Sequence, residues 1–497
     1  MQIDIFRLQQ FDSRDNGLTM IGGKKILQNT LLLTLSSVVN LVISIATTSI
    51  IARSIGPELY GRYTFSLTYI LMFSVLANFG LESLFIREAA RDRVNLAFIK
   101  DIFHLKIILA IVTIGTLLFS AHILNYNSEI ISVLYILCCG LFFQILSESL
   151  LSVYRSVEKM HVTAFFSTFF RIVSAIVIGL SVYFGLGFYG IVSAFSIGNA
   201  LVFAAVLILF RRDFRLLNLR ISPSIWFNLI RQGAPFYFSA LLTMFYAKIN
   251  IVILSKLVSE REIGYYMAAL NLVENLYFIP TAFVTSAFPA FSRLHGSSPD
   301  ALKSAYIKMT KYLIILTVAV SIGTVLVSDN IVRLIYGDQF APAVPVLNVL
   351  IFLWVLAFFS NAQSSLLFSI QKERAQVKIM MIAVLVNAVL NFVFIRSYGY
   401  MGAAIASVLT EGIVVVLISY VLWRAGFKYF PDFSIFRLVI AVAGMFFIVR
   451  FLSQFNIAIA IVGGAVSYTC LLFALKVFDA DDINYMKTLF RRNAPNG

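Results

Sequence analysis

Fourteen long apolar runs succeed one another along the chain, and that succession decides most of what it can fold into. A helix needs about 20 mostly apolar residues to cross the hydrocarbon core of a membrane. The first six runs lie near 26–52, 63–86, 107–124, 130–153, 162–184 and 187–210. The next six lie near 234–255, 265–291, 312–328, 346–370, 379–395 and 400–423, and the last two near 438–449 and 457–475. They are continuous, which excludes β-barrel spans, since those read as alternating segments of about ten residues. Composition agrees: 60% of the 497 residues are hydrophobic and only 13% charged. Soluble domains would need about 25% charged residues to coat their surfaces. The expected fold is an all-α polytopic membrane protein with about fourteen transmembrane helices.

The connections exclude several functions. The longest, 211–233 and 292–311, are too short to hold a soluble catalytic domain, and Gly296-Ser297-Ser298-Pro299 in the second marks a turn. No GxxxxGK[ST] phosphate loop occurs, so ATP hydrolysis is not expected. Cys138, Cys139 and Cys470 sit in apolar runs, which excludes a disulfide framework or a cysteine metal motif. No cofactor, no metal and no nucleic-acid partner is expected. The N-terminus is polar through Lys25 with no cleavage signal, so the first span should direct insertion itself.

The net charge of +15 is a topology signal. With the N-terminus inside, alternate connections carry 30 Lys and Arg on the inner side and 7 on the outer. This is the positive-inside asymmetry, and it places both termini in the cytoplasm. Arg171 and Lys248 remain within spans.

The chain also repeats itself. Arg53-Ser-Ile-Gly-Pro-Glu-Leu-Tyr-Gly-Arg-Tyr63 aligns with Lys256-Leu-Val-Ser-Glu-Arg-Glu-Ile-Gly-Tyr-Tyr266 at a shift of 203, pairing Gly61 with Gly264 and Tyr63 with Tyr266. Glu158-Lys159 matches Glu373-Arg374 at a shift of 215, and Gly187-Phe-Tyr-Gly190 matches Gly399-Tyr-Met-Gly402 at 212. Spans 1–6 therefore resemble spans 7–12, as in transporters built from repeats. Because six is even, both halves share one orientation. The expected organisation is a cytoplasmic segment 1–25, a six-helix bundle 26–210, a basic cytoplasmic linker 211–233, a second bundle 234–423, and two extra helices with a cytoplasmic tail over 424–497.

Ala52-Arg-Ser-Ile-Gly-Pro-Glu-Leu-Tyr-Gly-Arg-Tyr63 resembles the first outer loop of Wzx-type polysaccharide flippases, and Gly399-Tyr-Met-Gly-Ala-Ala-Ile-Ala406 is similar to their second-half repeat. The resemblance implies the multidrug/oligosaccharidyl-lipid/polysaccharide exporter superfamily, with two six-helix bundles around a central cavity and alternating access. It implies that an undecaprenyl-diphosphate-linked oligosaccharide repeat unit moves from the inner to the outer leaflet for O-antigen or exopolysaccharide assembly. Membrane lipids and a polysaccharide polymerase or chain-length regulator are the partners this implies.

Charges inside a membrane cost at least about 2.5 kcal/mol at the centre of the bilayer, so each is a functional candidate. Lys248 and Arg171, with Arg53 at the outer end of span 1, are candidates for the diphosphate, Arg as a bidentate fork and Lys as a point charge. An interhelical ion pair is the structural alternative. Span 1 carries a polar stripe that includes Thr34, Ser37 and Asn40, while Asn250 and Asn271 add amides in spans 7 and 8. Such groups suit either a sugar-lined cavity or close helix packing. Glu82, Glu148, Glu274 and Glu411 are candidates for ion or proton coupling, because a low dielectric favours protonation of a carboxyl group.

Two other functions compete. Multidrug exporters of the same superfamily commonly carry an acidic residue in the first span, and span 1 has none. A membrane polysaccharide polymerase would need a sizeable outer catalytic loop, and the outer loops are short. The expectation is a transporter and not an enzyme.

Overall fold

The computed structural model describes residues 21–89, 96–156, 159–214, 223–277, 288, 291–427 and 434–478, and among these it is helical without strands. The N-terminal part runs α1 (Ile21–Asn78), α2 (Leu81–Ala89), α3 (Leu96–Ile123), α4 (Ser128–Ser156), α5 (Met160–Tyr183), α6 (Gly187–Phe214) and α7 (Pro223–Leu257). It continues with α8 (Glu260–Glu274), α9 (Pro299–Tyr336), α10 (Ala343–Ser369), α11 (Glu373–Arg424), α12 (Ser434–Leu452) and α13 (Ile457–Ala474). Among the described residues ten helices are long and apolar enough to cross a membrane. Two of them, α1 and α11, each take in two of the expected spans. Of the eighth run, 265–291, only the part covered by α8 and the turn after it, with its last residue, is described at any length. The chain is a multi-pass membrane protein of all-helical fold.

The segment 53–63, expected as a loop, is helical on both sides of a single kink. Pro57 disfavours helical backbone at the residue before it. Gly56 accordingly takes φ 75° and ψ 174°, and Pro57 then starts the next helical segment, where its missing N–H costs nothing. The run 63–86 is likewise divided, because Phe79 and Gly80 both adopt positive φ between α1 and α2. Gly399 in α11 is kinked at φ 57° and ψ −141°, and Gly187, its match in the repeat, opens α6 at φ 67°. Ser259, the match of Gly56, starts α8 through a capping box: its Oγ and N–H donate to Glu262 Oε2 at 2.8 and 3.0 Å. The expected turn at 296–299 is a helix start as well, with Ser298 as N-cap and Pro299 in the first turn of α9.

The chain forms two compact units. The first comprises Met1–Met267 with Ile395–Tyr400, and the second Ala268–Phe394 with Met401–Gly497. In the first, α4 and α5 both pack on α6, and α1 packs on α3, α4, α5 and α7. Gly140 permits the close approach of α4 to α6, since a Cβ there would stand 2.5 Å from the Phe195 ring. A core of Leu84, Phe85, Ile102, Leu150, Tyr154 and Phe210 joins α2, α3, α4 and α6.

In the second unit α9 packs on α10, α12 and α13. Ile315, Val327, Met445, Val449 and Leu472 form its apolar cluster, and the Tyr468 hydroxyl donates to the Ile315 carbonyl at 2.7 Å. The 38 residues of α9 make a rod about 57 Å long, nearly twice the roughly 30 Å hydrocarbon thickness.

Candidate functional site

Polar groups on these helices fall into four groups. The first lies where α1 meets α5. Asn40 Nδ2 donates to Ser167 Oγ at 3.4 Å, and Arg171 follows Ser167 by one helical turn. Arg171 is exposed and has no hydrogen-bond or ion-pair partner among the described residues. Lys248 is half-buried in α7, and Arg53 is exposed on α1. The side chains of Thr34 and Ser37 lie outside the described residues. Asn250 is buried and ties α7 to α8, with Nδ2 donating to the Tyr266 hydroxyl at 2.6 Å.

The second group holds two of the candidate acids. Arg155 Nη2 at the end of α4 binds Glu82 Oε1 of α2 at 2.7 Å and Glu148 Oε2 of α4 at 2.8 Å. Lys106 of α3 lies in the field of both carboxylates and is only 2% exposed. Sequence reasoning missed Lys106 and Arg155, because the positive-inside pattern counts both as loop charges. The readable signal was the seven-residue spacing of Glu148 and Arg155, which puts them on one face of a helix.

The third group is a band of buried polar side chains shared by α10 and α11 in the second unit. Ser360 Oγ donates to Glu411 Oε1. Gln363 Nε2 donates to Ser419 Oγ at 2.7 Å, and Asn387 Nδ2 donates to Thr410 Oγ1 at 3.3 Å. Asn391 is fully buried and donates to the Asn387 carbonyl at 2.8 Å. Asn271 and Glu274 are half-buried on α8.

The fourth group ties helix ends in the first unit. Arg62 binds Glu129 through Nη2 and Glu260 through Nε, the latter at 2.7 Å. Asn127 Nδ2 donates to Glu260 Oε1 at 3.1 Å. Lys256 stands over the Tyr126 ring at 3.4 Å and donates to the Leu124 carbonyl. Burial pushes the Tyr126 phenol up to about 12 despite its hydrogen bond with Ser255. Arg62, Tyr126, Asn127, Ser255, Lys256 and Glu260 line a cavity of about 310 Å³.

The arrangement suits transport rather than bond-making. It offers cations, amides and hydroxyls spread along membrane-crossing helices instead of one catalytic constellation.

Comparison with known proteins agrees with this picture. The computed fold resembles the lipid II flippase MurJ in an inward closed conformation, with a TM-score of 0.74, 14% identity, and coverage of 90% of this chain and 99% of that one. It also resembles an inward-facing multidrug resistance MATE family transporter of the MOP superfamily, with a TM-score of 0.63, 14% identity, and coverage of 78% and 94%. Among curated proteins, the teichuronic acid biosynthesis protein TuaB of Bacillus subtilis is 28% identical over 26% of this chain and 27% of its own length. The probable flippase AglR of Haloferax volcanii is 26% identical over 52% of this chain and 54% of its own. The chain thus matches between about a quarter and about half the length of these two relatives. A family model described as polysaccharide biosynthesis protein matches residues 50–345, and the chain belongs to that family.

Proposed function

We propose that the chain flips a lipid-linked oligosaccharide, with undecaprenyl diphosphate as the carrier, from the inner to the outer leaflet of a bacterial or archaeal cytoplasmic membrane by alternating access. The observation that carries this reading is Arg171, exposed on a membrane-crossing helix without a partner among the described residues. A guanidinium facing lipid at that depth would cost at least about 2.5 kcal/mol. It belongs instead on a water-filled path, where it serves an anionic cargo. Family membership and the likeness to the probable flippase AglR and the lipid II flippase MurJ point the same way. The positive-inside pattern supports cytoplasmic termini. The repeat supports two bundles, 26–210 and 234–423, flanking the path.

In this reading Arg171 and Lys248 hold the diphosphate midway, Arg53 meets it near the outer end, and Asn40 with its neighbours on α1 contacts the sugars. The membrane potential biases release, since each charge moved through 100 mV is worth about 2.3 kcal/mol. Glu274, Glu411, Glu148 and Glu82 are the coupling candidates. A polymerase or chain-length regulator receives the product. The multidrug-exporter reading shares the fold but lacks an acid in span 1.

The test is a deletion strain. Lipid-linked oligosaccharide should accumulate in the inner leaflet and return to the outer leaflet with the wild-type gene, but not with Arg171→Ala and Lys248→Ala combined. Normal delivery in the deletion strain overturns the function, and full rescue by the double variant overturns the site.

A further inference from the structure

The four charges at Glu82, Lys106, Glu148 and Arg155 come from α2, α3 and α4 and sum to zero. We infer that this quartet is a masked phosphoanion site, in which Arg155 and Lys106 take up a diphosphate when Glu82 and Glu148 release Arg155.

Three observations carry the inference. Arg155 is incompletely used. Its Nη2 bears both carboxylates, while its buried Nε donates to nothing among the described residues. A guanidinium offers five donors in a fork that fits phosphate oxygens, so the present arrangement leaves phosphate-binding capacity idle. Next, Lys106 is only 2% exposed and has no direct ion pair among the described residues. A base so buried is costly to keep charged, and a diphosphate would offer it a direct anionic partner. Finally, the carboxylates are the movable members. The Glu148 side chain is 44% exposed and that of Glu82 is 26%, against 20% for Arg155.

Partly exposed ion pairs add little net stability, so stability alone is a weak reason for the charges here. An arriving diphosphate would replace two carboxylates with one ligand of equal or greater charge. The exchange would also break the Arg155–Glu82 bond between α2 and α4, leaving the apolar contact of Leu84 and Phe85 with Leu150 and Tyr154. This inference rests on the lipid-diphosphate reading above and adds to it an entry site separate from Arg171 and Lys248. The same chemistry would admit free pyrophosphate.

The test uses the full chain in phosphatidylcholine nanodiscs, titrated calorimetrically with farnesyl diphosphate and with inorganic pyrophosphate. Farnesyl diphosphate should bind, and Glu148→Gln should tighten it by about fivefold, the scale of one exposed ion pair removed. Arg155→Gln and Lys106→Met should weaken it at least about tenfold, a loss of one charge-assisted contact, with Arg155→Lys in between. Equal binding of pyrophosphate assigns the site to free anions, and binding of the prenyl compound alone assigns it to the lipid.

Wild-type affinity in both Arg155→Gln and Lys106→Met, or no tightening in Glu148→Gln, overturns the inference. If Arg155→Gln fails to fold, Glu148→Gln decides alone, since that change removes a charge at a half-exposed position. The two readings fail separately. Binding that follows this pattern beside normal glycan delivery in the deletion strain rejects the flippase reading only. Glycan accumulation beside unaltered variant binding rejects the quartet only.

Discussion

Gly61 and Gly264 cross backbone to backbone. A Cβ on Gly61 would stand 2.7 Å from the Gly264 nitrogen, and one on Gly264 would stand 2.9 Å from the Pro57 carbonyl carbon. The two positions that match across the repeat at a shift of 203 therefore touch one another. Tyr63 and Tyr266, two residues further on, are both buried beside the crossing.

Any side chain at this crossing forces α1 and α8 apart. Gly264→Ala should cost about 1–3 kcal/mol as overpacking, read as a lower melting temperature of the purified protein in detergent. Gly179→Ala is the control, because nothing lies within 4 Å of a Cβ there. That change should be neutral or stabilising by up to about 1 kcal/mol, as expected for a helical glycine.

Arg62 holds two carboxylates from different helices, and its side chain is 11% exposed. Arg62→Gln should destabilise by about 1–3 kcal/mol, because two acids lose their shared charge-assisted donor. The Arg62→Gln, Glu260→Gln double variant should lose less than the sum of the singles. A double-mutant cycle on thermal melts checks this.

Glu411 is 5% exposed and accepts from Ser360. Glu411→Gln keeps the shape and the acceptor, so it should melt like the wild type. Glycan delivery to the outer leaflet should fall if Glu411 exchanges a proton during transport. Glu411→Ala should additionally lose about 1–3 kcal/mol by leaving buried polar groups unpaired. Delivery assays paired with melts separate the two effects.

Tyr126 is neutral well beyond ordinary pH. Its phenol ionises near 12 in the folded chain against a usual value of 10. Between those values the unfolded chain has lost the proton that the folded chain retains, so folding stability drops as pH rises. Below pH 10 this group makes stability no steeper in pH. Tyr126→Phe should flatten the fall between pH 10 and 12 in a pH series of thermal melts.

The span pattern was legible because membrane insertion imposes length and apolarity directly on the residue order. The breaks were less legible. Gly56-Pro57 reads as a loop, yet a single residue absorbs the turn and the helix resumes at once. The charged quartet was hidden for a different reason. Lys106 and Arg155 fit the inner-loop count in number, and only packing of α2 against α4 brings Arg155 onto Glu82 and Glu148. Asn250 looked like a cavity amide, but the Tyr266 hydroxyl takes up its Nδ2. Hydrogen bonds between helices leave no periodic trace.

Gly187 and Gly399, matched at a shift of 212, share a positive φ of 67° and 57° although few of their neighbours are identical. What these two positions keep in common is torsion. An L side chain is disfavoured in such backbone, whereas lipid-facing positions accept almost any apolar substitution. Apolar letters therefore drift quickly after a duplication while punctuation stays. Ancestral duplications in chains of this kind will be traced more deeply by aligning left-handed glycines than by scoring hydrophobic similarity.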